Sequence, residues 1–387
     1  MQDFDPCPPV GISLPKKAVA IGLGIASAAF RMLRPHSGTD PASKKVVLLE
    51  PFGMGDAISL LPLVQVLHDH GFQVVVCARP AWRTFFPSHV EWVDCAVPWA
   101  SYGDDEKYRL KALFGPVFRG FLKSLRRVAA GHIGMDTRGD SRSTLLLWLA
   151  GCRPVYSLDR YLGSDMRNLR AAARTLTLDA HLRRWQVNAR FALPLGCSLD
   201  KLERPHLPRP HAACAHPRGI AIVPITPWPG RAWPAPSWQE LIARLQAAGE
   251  HVVALGGPGQ DDALRAAVGP APPLMICRSI QDWIDTLSKF EAVIALDSGP
   301  AHLTDALGIP LVALYGSGQL PLWAPSGPNS RVLHRQDDPD YQPIHPVDAN
   351  IARGLELMSR HSVEDVLRAL ATVRRTGAPL TAESHPA

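Results

Sequence analysis

The chain has 387 residues, 46% hydrophobic and 20% charged, with a formal net charge of +6. That length exceeds what one core usually organises, so two domains are expected, and the composition is that of an ordinary globular protein. Seven scattered cysteines without a Cys-x-x-Cys pair argue against a zinc cage or a disulfide framework, and the mild positive charge favours an anionic partner without demanding nucleic acid.

The first feature along the chain is an apolar run from Ala18 to Phe30, led by Lys16-Lys17 and closed by Arg31 and Arg34. It is shorter than the roughly 20 residues needed to cross a bilayer. It reads as a short helix lying in a membrane interface, as an export signal, or as a packed surface helix. From Lys45 onward, short apolar strands alternate with helical segments. Strands are expected at Val46–Leu49, Val74–Cys77, Trp92–Val97, Ile133–Asp136 and Val155–Leu158. Helices are expected at Ala57–His70, over Lys107–Ala129 as one element or a pair, and at Arg142–Ala150. A Pro-, His- and Ala-rich stretch with no period then marks a linker at 206–217.

The alternation restarts with strands at Ile220–Val223, Val252–Leu255, Leu274–Cys277, Val293–Leu296 and Leu311–Leu314. The helices between them are Ser237–Ala248, one after Gln260, Ile280–Ser288 and Ala301–Leu307, and Val363–Val373 precedes a polar tail. Alternation of this kind means βαβ units and parallel sheets. The expected fold is therefore α/β: two Rossmann-like doubly wound domains facing across a cleft, with a short N-terminal apolar helix. Ligands of open α/β sheets bind beyond the carboxyl ends of the strands.

Three segments at such ends carry candidate chemistry. Gly53-Met54-Gly55-Asp56 follows the first strand and opens a helix. The glycines permit close approach of a ligand, and Asp56 either caps the helix or serves as a general base taking a proton from an acceptor hydroxyl. The turn lacks the full G-x-G-x-x-G spacing of a nicotinamide site. Asp297-Ser298-Gly299-Pro300-Ala301-His302 joins a strand to a helix. Its amides at Ser298, Gly299 and Ala301 meet a positive helix terminus suited to a diphosphate, with Asp297 for sugar hydroxyls and His302 for a phosphate oxygen. An ordinary turn with a capping aspartate is the plain alternative. In the loop Thr226 to Pro234, Arg231 suits bidentate phosphate contact and Thr226 offers a hydroxyl, while Trp233 reads as a packing anchor. The Gly256-Gly257-Pro258-Gly259 turn is read equally as a nucleotide contact or as plain turn chemistry.

Taken in order, these segments resemble glycosyltransferase family 9, the lipopolysaccharide heptosyltransferases. The likeness is carried by Val46-Val47-Leu48-Leu49 through Gly55-Asp56 with Leu61-Pro62, by Arg231-Ala232-Trp233-Pro234, and by Asp297 through His302 with Leu314-Tyr315-Gly316. Weaker echoes are Asp136 with Arg142-Ser143, and His181 to Gly196. The resemblance implies a GT-B architecture and inverting, metal-independent transfer from ADP-heptose, with no cofactor and no metal site. It implies Asp56 as the base and a donor site of Asp297, Ser298, Gly299, Ala301 and His302 with Arg231; from their turns, Thr226 joins the donor candidates and Gly53 and Gly55 the acceptor-binding candidates. It also implies a C-terminal helix returning to the first domain, which would suit Val363–Val373. Arg231 takes the family's usual lysine position, and Glu50 stands where the family more often has a basic residue.

The organisation expected is an N-terminal extension at 1–44, an acceptor-binding domain at 45–205, the linker at 206–217, a nucleotide-sugar domain at 218–345, and a C-terminal helical segment with tail at 346–387. The stretch Lys107–Arg127 is basic and carries no acid, with phenylalanines interleaved. It suits anionic lipid or a phosphorylated core sugar, so Arg119 and Lys123 join the acceptor-binding candidates; a solvated helix face is the plain alternative. The expected partners are a nucleotide sugar, a lipopolysaccharide core or related glycolipid acceptor, and the cytoplasmic face of the inner membrane, with no nucleic acid. The enzyme would be cytoplasmic and peripheral at that membrane. Alternatives are a transferase of the same fold using another nucleotide sugar or acceptor, and a non-catalytic, membrane-associated glycan-binding protein that kept the fold.

Overall fold

The structure is a computed structural model, and it describes residues 2, 43–99, 110–168, 173–179, 181–210, 218–335, 341 and 350–377. The expected helix near residues 16–34, most of the linker, the first residues of the basic stretch from Lys107, and the C-terminal tail lie outside those residues.

The first sheet is built from β1 (Lys45–Glu50), β2 (Gln73–Ala78), β3 (Glu91–Asp94), β4 (Ile133–Asp136), β5 (Val155–Leu158) and β6 (Arg174–Leu176). All pairs are parallel and the order is β3-β2-β1-β4-β5-β6. Its helices include α1 (Met54–Ile58), α2 (Leu61–Asp69), α3 (Pro116–Ala129), α4 (Ser141–Leu149) and α5 (Arg184–Ala189). The second sheet contains β7 (Ile220–Val223), β8 (Val252–Gly256), β9 (Leu274–Ile276), β10 (Ala292–Leu296), β11 (Leu311–Leu314) and β12 (Ser330–Leu333). It is again parallel, in the order β12-β11-β10-β7-β8-β9. With it go α6 (Ala235–Ala247), α7 (Asp261–Val268), α8 (Ile280–Leu287), α9 (Gly299–Ala306), α10 (Leu320–Trp323), α11 (Ile351–Ser359) and α12 (Val363–Gly377).

Each sheet is thus a doubly wound Rossmann-like unit, and in each the strand order reverses beside one central pair: β1 and β4, or β7 and β10. The strands read as continuous apolar runs because helices cover both faces. Val46 and Leu48 of β1 enter one core cluster and Val47 and Leu49 another, so the pleat divides the strand between two buried layers.

Three expectations change. The helix expected at Ala57–His70 is two elements, because Pro62 sits in the first turn of α2, where a missing N–H is tolerated, and α1 ends before it. The edge strands β6 and β12 were not expected; neither carries a buried apolar run. The third is a correction. Val363, Val366, Ala369, Leu370 and Val373 of α12 pack on Ile220, Ile222, Ile294, Leu296, Val312 and Leu314, so this helix covers the second sheet and does not return to the first half.

Candidate active site

The first half contributes residues from the ends of β1 and β4. Gly53 precedes α1 in extended conformation, and Asp56 lies in that helix's first turn, where its Oδ2 accepts the Gly53 N–H at 3.1 Å. Asp56 therefore does cap the helix. Its other oxygen is turned away from the cap. Oδ1 lies 2.5 Å from Arg138 Nη1 and 3.9 Å from Arg184 Nε.

Sequence reasoning missed both arginines. Arg138 follows β4, and its N–H donates to Asp136 Oδ1 at 3.2 Å. The turn is completed by Gly139, whose φ is +73° and where any Cβ would collide with the Arg160 carbonyl. Asp136 is fully buried and accepts hydrogen bonds from Ser157 (2.8 Å) and Thr144 (3.0 Å). Burial first, and then the Asp140 charge, raise its carboxyl to about 7. Arg184 of α5 pairs with Glu50 at 3.0 Å and donates to the Thr137 carbonyl at 2.8 Å. Burial, with the Asp56 charge next, pushes Glu50 up to about 7, against the pull of both guanidiniums. Glu50 is thus a buried partner of Arg184 and does not line the cleft. Two carboxyl groups and two guanidiniums thus share one nearly water-free place.

The second half supplies the facing group. Asp297 directly follows β10 and is almost wholly buried, and its Oδ2 pairs with Arg231 Nε at 3.0 Å. The Asp297 carbonyl accepts from Arg231 Nη1 and Thr226 Oγ1, both at 3.3 Å. The third guanidinium nitrogen, Nη2, has no partner among the described residues. Pairing neutralises Asp297, so an anion can approach the same corner. Ser298 caps α9 with its backbone, its hydroxyl donating to the Leu296 carbonyl at 3.1 Å. One expectation is corrected here: the Ala301 N–H already donates to the Ser298 carbonyl at 3.2 Å, so the amides left at this terminus are those of Ser298 and Gly299. His302 is half-buried, and burial holds its imidazole below the usual range against the pull of Asp297, Asp305 and Asp56. A neutral ring offers one N–H.

The two halves meet at these turns. A Cβ on Gly55 would lie 2.5 Å from His302 Cδ2, and one on Gly299 would lie 2.9 Å from Met54 Cβ. The N-termini of α1 and α9 therefore interlock, and both direct partial positive charge into one gap. Gly53, Gly55, Asp56, Thr226, Arg231 and Asp297 through His302 gather at this one place. Arg119 and Lys123 do not. α3 packs through Phe121, Leu125 and Val128, which turns Arg119 and Lys123 outward into solvent. Trp233 is a packing anchor: it stacks edge-on against Trp238 at 4.9 Å and donates to the His361 carbonyl. The Gly256–Gly259 turn closes on itself, Gly257 N–H donating to Gln260 at 2.8 Å. Among the described residues no group of His, Cys, Asp and Glu could hold a metal ion, and no helix is long and apolar enough to cross a membrane.

The model of "Glycosyltransferase family 9 (heptosyltransferase)" matches residues 119–345, more than half of the chain. The chain belongs to glycosyltransferase family 9. This family 9 enzyme is 26% identical to lipopolysaccharide heptosyltransferase 1 of Pseudomonas aeruginosa over 293 residues, covering 70% of this chain and 78% of that protein. Among solved structures it resembles Escherichia coli heptosyltransferase WaaC with ADP (TM-score 0.64, 18% identity, 85% of this chain and 99% of that one). It also resembles a family 9 glycosyltransferase from Veillonella parvula (0.65, 15%, 88% and 100%). The E. coli ADP-heptose LPS heptosyltransferase II aligns at 0.61 with 19% identity, over 86% and 99%. These likenesses agree with the two facing Rossmann-like sheets of a GT-B glycosyltransferase.

Proposed function

We propose that this glycosyltransferase moves heptose from ADP-heptose to a lipopolysaccharide core acceptor, with inversion and without a metal ion. The supporting observation is the placement of Asp56. Its Oδ1 stands at the reversal point of the first sheet, while the positive terminus of α9 closes on the same turn from the second half. In this reading the acceptor hydroxyl gives its proton to Asp56 as its oxygen attacks the anomeric carbon. The bond from that carbon to the diphosphate breaks, and ADP leaves. Arg231 Nη2, the Ser298 and Gly299 amides and a His302 N–H meet the charge that grows on the diphosphate. Asp297 and Thr226 orient the sugar. The likeness to heptosyltransferases supports heptose and ADP over another nucleotide sugar.

The acceptor side faces a membrane in this proposal, with the enzyme peripheral on the cytoplasmic face of the inner membrane. Phe114 (78% exposed) and Val117 (73%) stand beside exposed Arg119, Lys123, Arg126 and Arg127, which suits an anionic lipid surface. The test is nucleotide release from a panel of sugar nucleotides with core lipopolysaccharide acceptor and chelator present, followed by the anomeric configuration of the product by NMR. Acceptor-dependent ADP release with inverted configuration supports the reading. A retained configuration, or activity lost with the chelator and restored by a divalent ion, overturns its mechanism, and a different productive donor overturns ADP-heptose.

A further inference from the structure

The guanidiniums that hold Asp56 are themselves held by a residue of the opposite half. Trp323, on α10, lies with its ring centroid 5.8 Å from the Arg138 guanidinium carbon and 5.9 Å from that of Arg184. Both distances fall within cation–π range. Phe52 (4.1 Å) and Tyr161 (5.6 Å) of the first half also face Arg138, and among the described residues Trp323 is the aromatic wall that comes from across the cleft. The segment that bears Trp323 is fastened to the first half on both sides. Gln319 donates to the Gly163 carbonyl at 2.7 Å, Arg183 to the Leu320 carbonyl at 3.3 Å, and Trp185 to Ser326 Oγ at 3.2 Å. The same segment is tied back to the donor corner: the Tyr315 hydroxyl donates to the Trp323 carbonyl at 2.9 Å, and Gly318 lies so near Asp297 that a Cβ there would sit 2.8 Å from Oδ2.

We propose that Trp323 is a positioning residue, seated by docking of the second half, whose ring holds Arg138 and Arg184 against Asp56. Apposition of the halves then assembles the base's surroundings at the same moment that it brings up the donor corner. The inference rests on the reading of Asp56 as the base.

The experiment compares Trp323→Leu, Trp323→Phe, Arg138→Gln, the Arg138→Gln/Trp323→Leu double variant and Asp56→Asn, measuring kcat by acceptor-dependent nucleotide release and donor Kd by calorimetry. Loss of two cation–π contacts lowers kcat about tenfold in Trp323→Leu with donor Kd unchanged. Trp323→Phe keeps an aromatic face and recovers most of the rate. Because Trp323 acts through the arginines, adding Trp323→Leu to Arg138→Gln costs much less than it does alone. Wild-type kcat in Trp323→Leu, equal losses in the Phe and Leu variants, or losses that multiply in the double variant overturn the proposal. If Trp323→Leu does not fold, Arg138→Lys carries the test, since it keeps the charge without the planar face; unchanged kcat there overturns it as well. An active Asp56→Asn defeats the base reading, whereas an inactive Asp56→Asn beside a fully active Trp323→Leu defeats this inference alone.

Discussion

Gly55→Ala separates the geometry of transfer from the stability of the fold. An alanine Cβ at this position lies 2.5 Å from His302 Cδ2 and 3.0 Å from its Cγ and Nε2, where ordinary contact begins at 3.4 Å. The near atoms are the body of the imidazole, so ring or helix has to retreat by ~1 Å. On the facing turn a Cβ added to Gly299 would itself lie 2.9 Å from Met54 Cβ, so α1 and α9 are closely apposed at both glycines. Alanine also favours the helix over glycine by ~1 kcal/mol, which offsets strain elsewhere in α1. The melting temperature should therefore hold. The rate should not: a displacement of ~1 Å between reacting groups costs about 10²-fold. Measuring kcat at saturating donor and acceptor, together with a thermal melt, reads both effects. Wild-type kcat in a folded Gly55→Ala enzyme would show that transfer does not need α1 and α9 in this close apposition, and the site geometry argued from them would fall.

Other outcomes follow from neighbouring features. In Gly354→Ala the new Cβ lies 2.3 Å from the Gly230 carbonyl, backbone against backbone, so α11 is pushed from the loop bearing Arg231; calorimetry should show weaker nucleotide-sugar binding and the melt a loss of ~1–3 kcal/mol. Arg184→Gln leaves Glu50 and Asp56 buried with one guanidinium and should cost ~3 kcal/mol. Without Arg184 the Glu50 carboxyl rises still further, so above about pH 7 the variant holds a proton the wild type has lost. The cost should therefore grow as pH rises above about 7 and level off below it, and denaturant titration on either side of that pH checks it. His361, which faces the Tyr315 carbonyl, is pushed from 6.5 down to about 4 by burial. The unfolded imidazole binds a proton first as pH falls, so this contribution is intact above pH 6.5 and is lost towards pH 4, in all ~3 kcal/mol. His361→Gln should flatten the acid side of the stability profile over that window.

Most strands were legible because a strand buried on both faces is a short apolar run, as in Val46-Val47-Leu48-Leu49 and Val293-Ile294-Ala295-Leu296. β6 and β12 escaped notice because an edge strand need not be apolar: Arg174 and Arg331 are exposed. The break between α1 and α2 was written at Pro62 but outweighed by helical spacing on both sides. Periodicity shows that α12 has an apolar stripe, but not which sheet the stripe covers. The site was half legible for a similar reason. Asp56, Arg231 and Asp297 sit at strand ends next to glycine- or proline-rich turns that draw notice. Arg138 also follows a strand end, in Thr137-Arg138-Gly139-Asp140, but its meaning depends on β4 lying beside β1, a fact of strand order. Trp323 depends on how the two halves dock, which no local pattern records.

The central claim is that Asp56 takes the acceptor's proton. It is tested most directly by acceptor-dependent ADP release from ADP-heptose catalysed by Asp56→Asn, with donor binding measured on the same preparation. A fall in kcat of about 10²–10⁴ with donor affinity intact is the predicted result. A variant that folds, binds donor and turns over like wild type would contradict it and return Asp56 to the role of a helix cap.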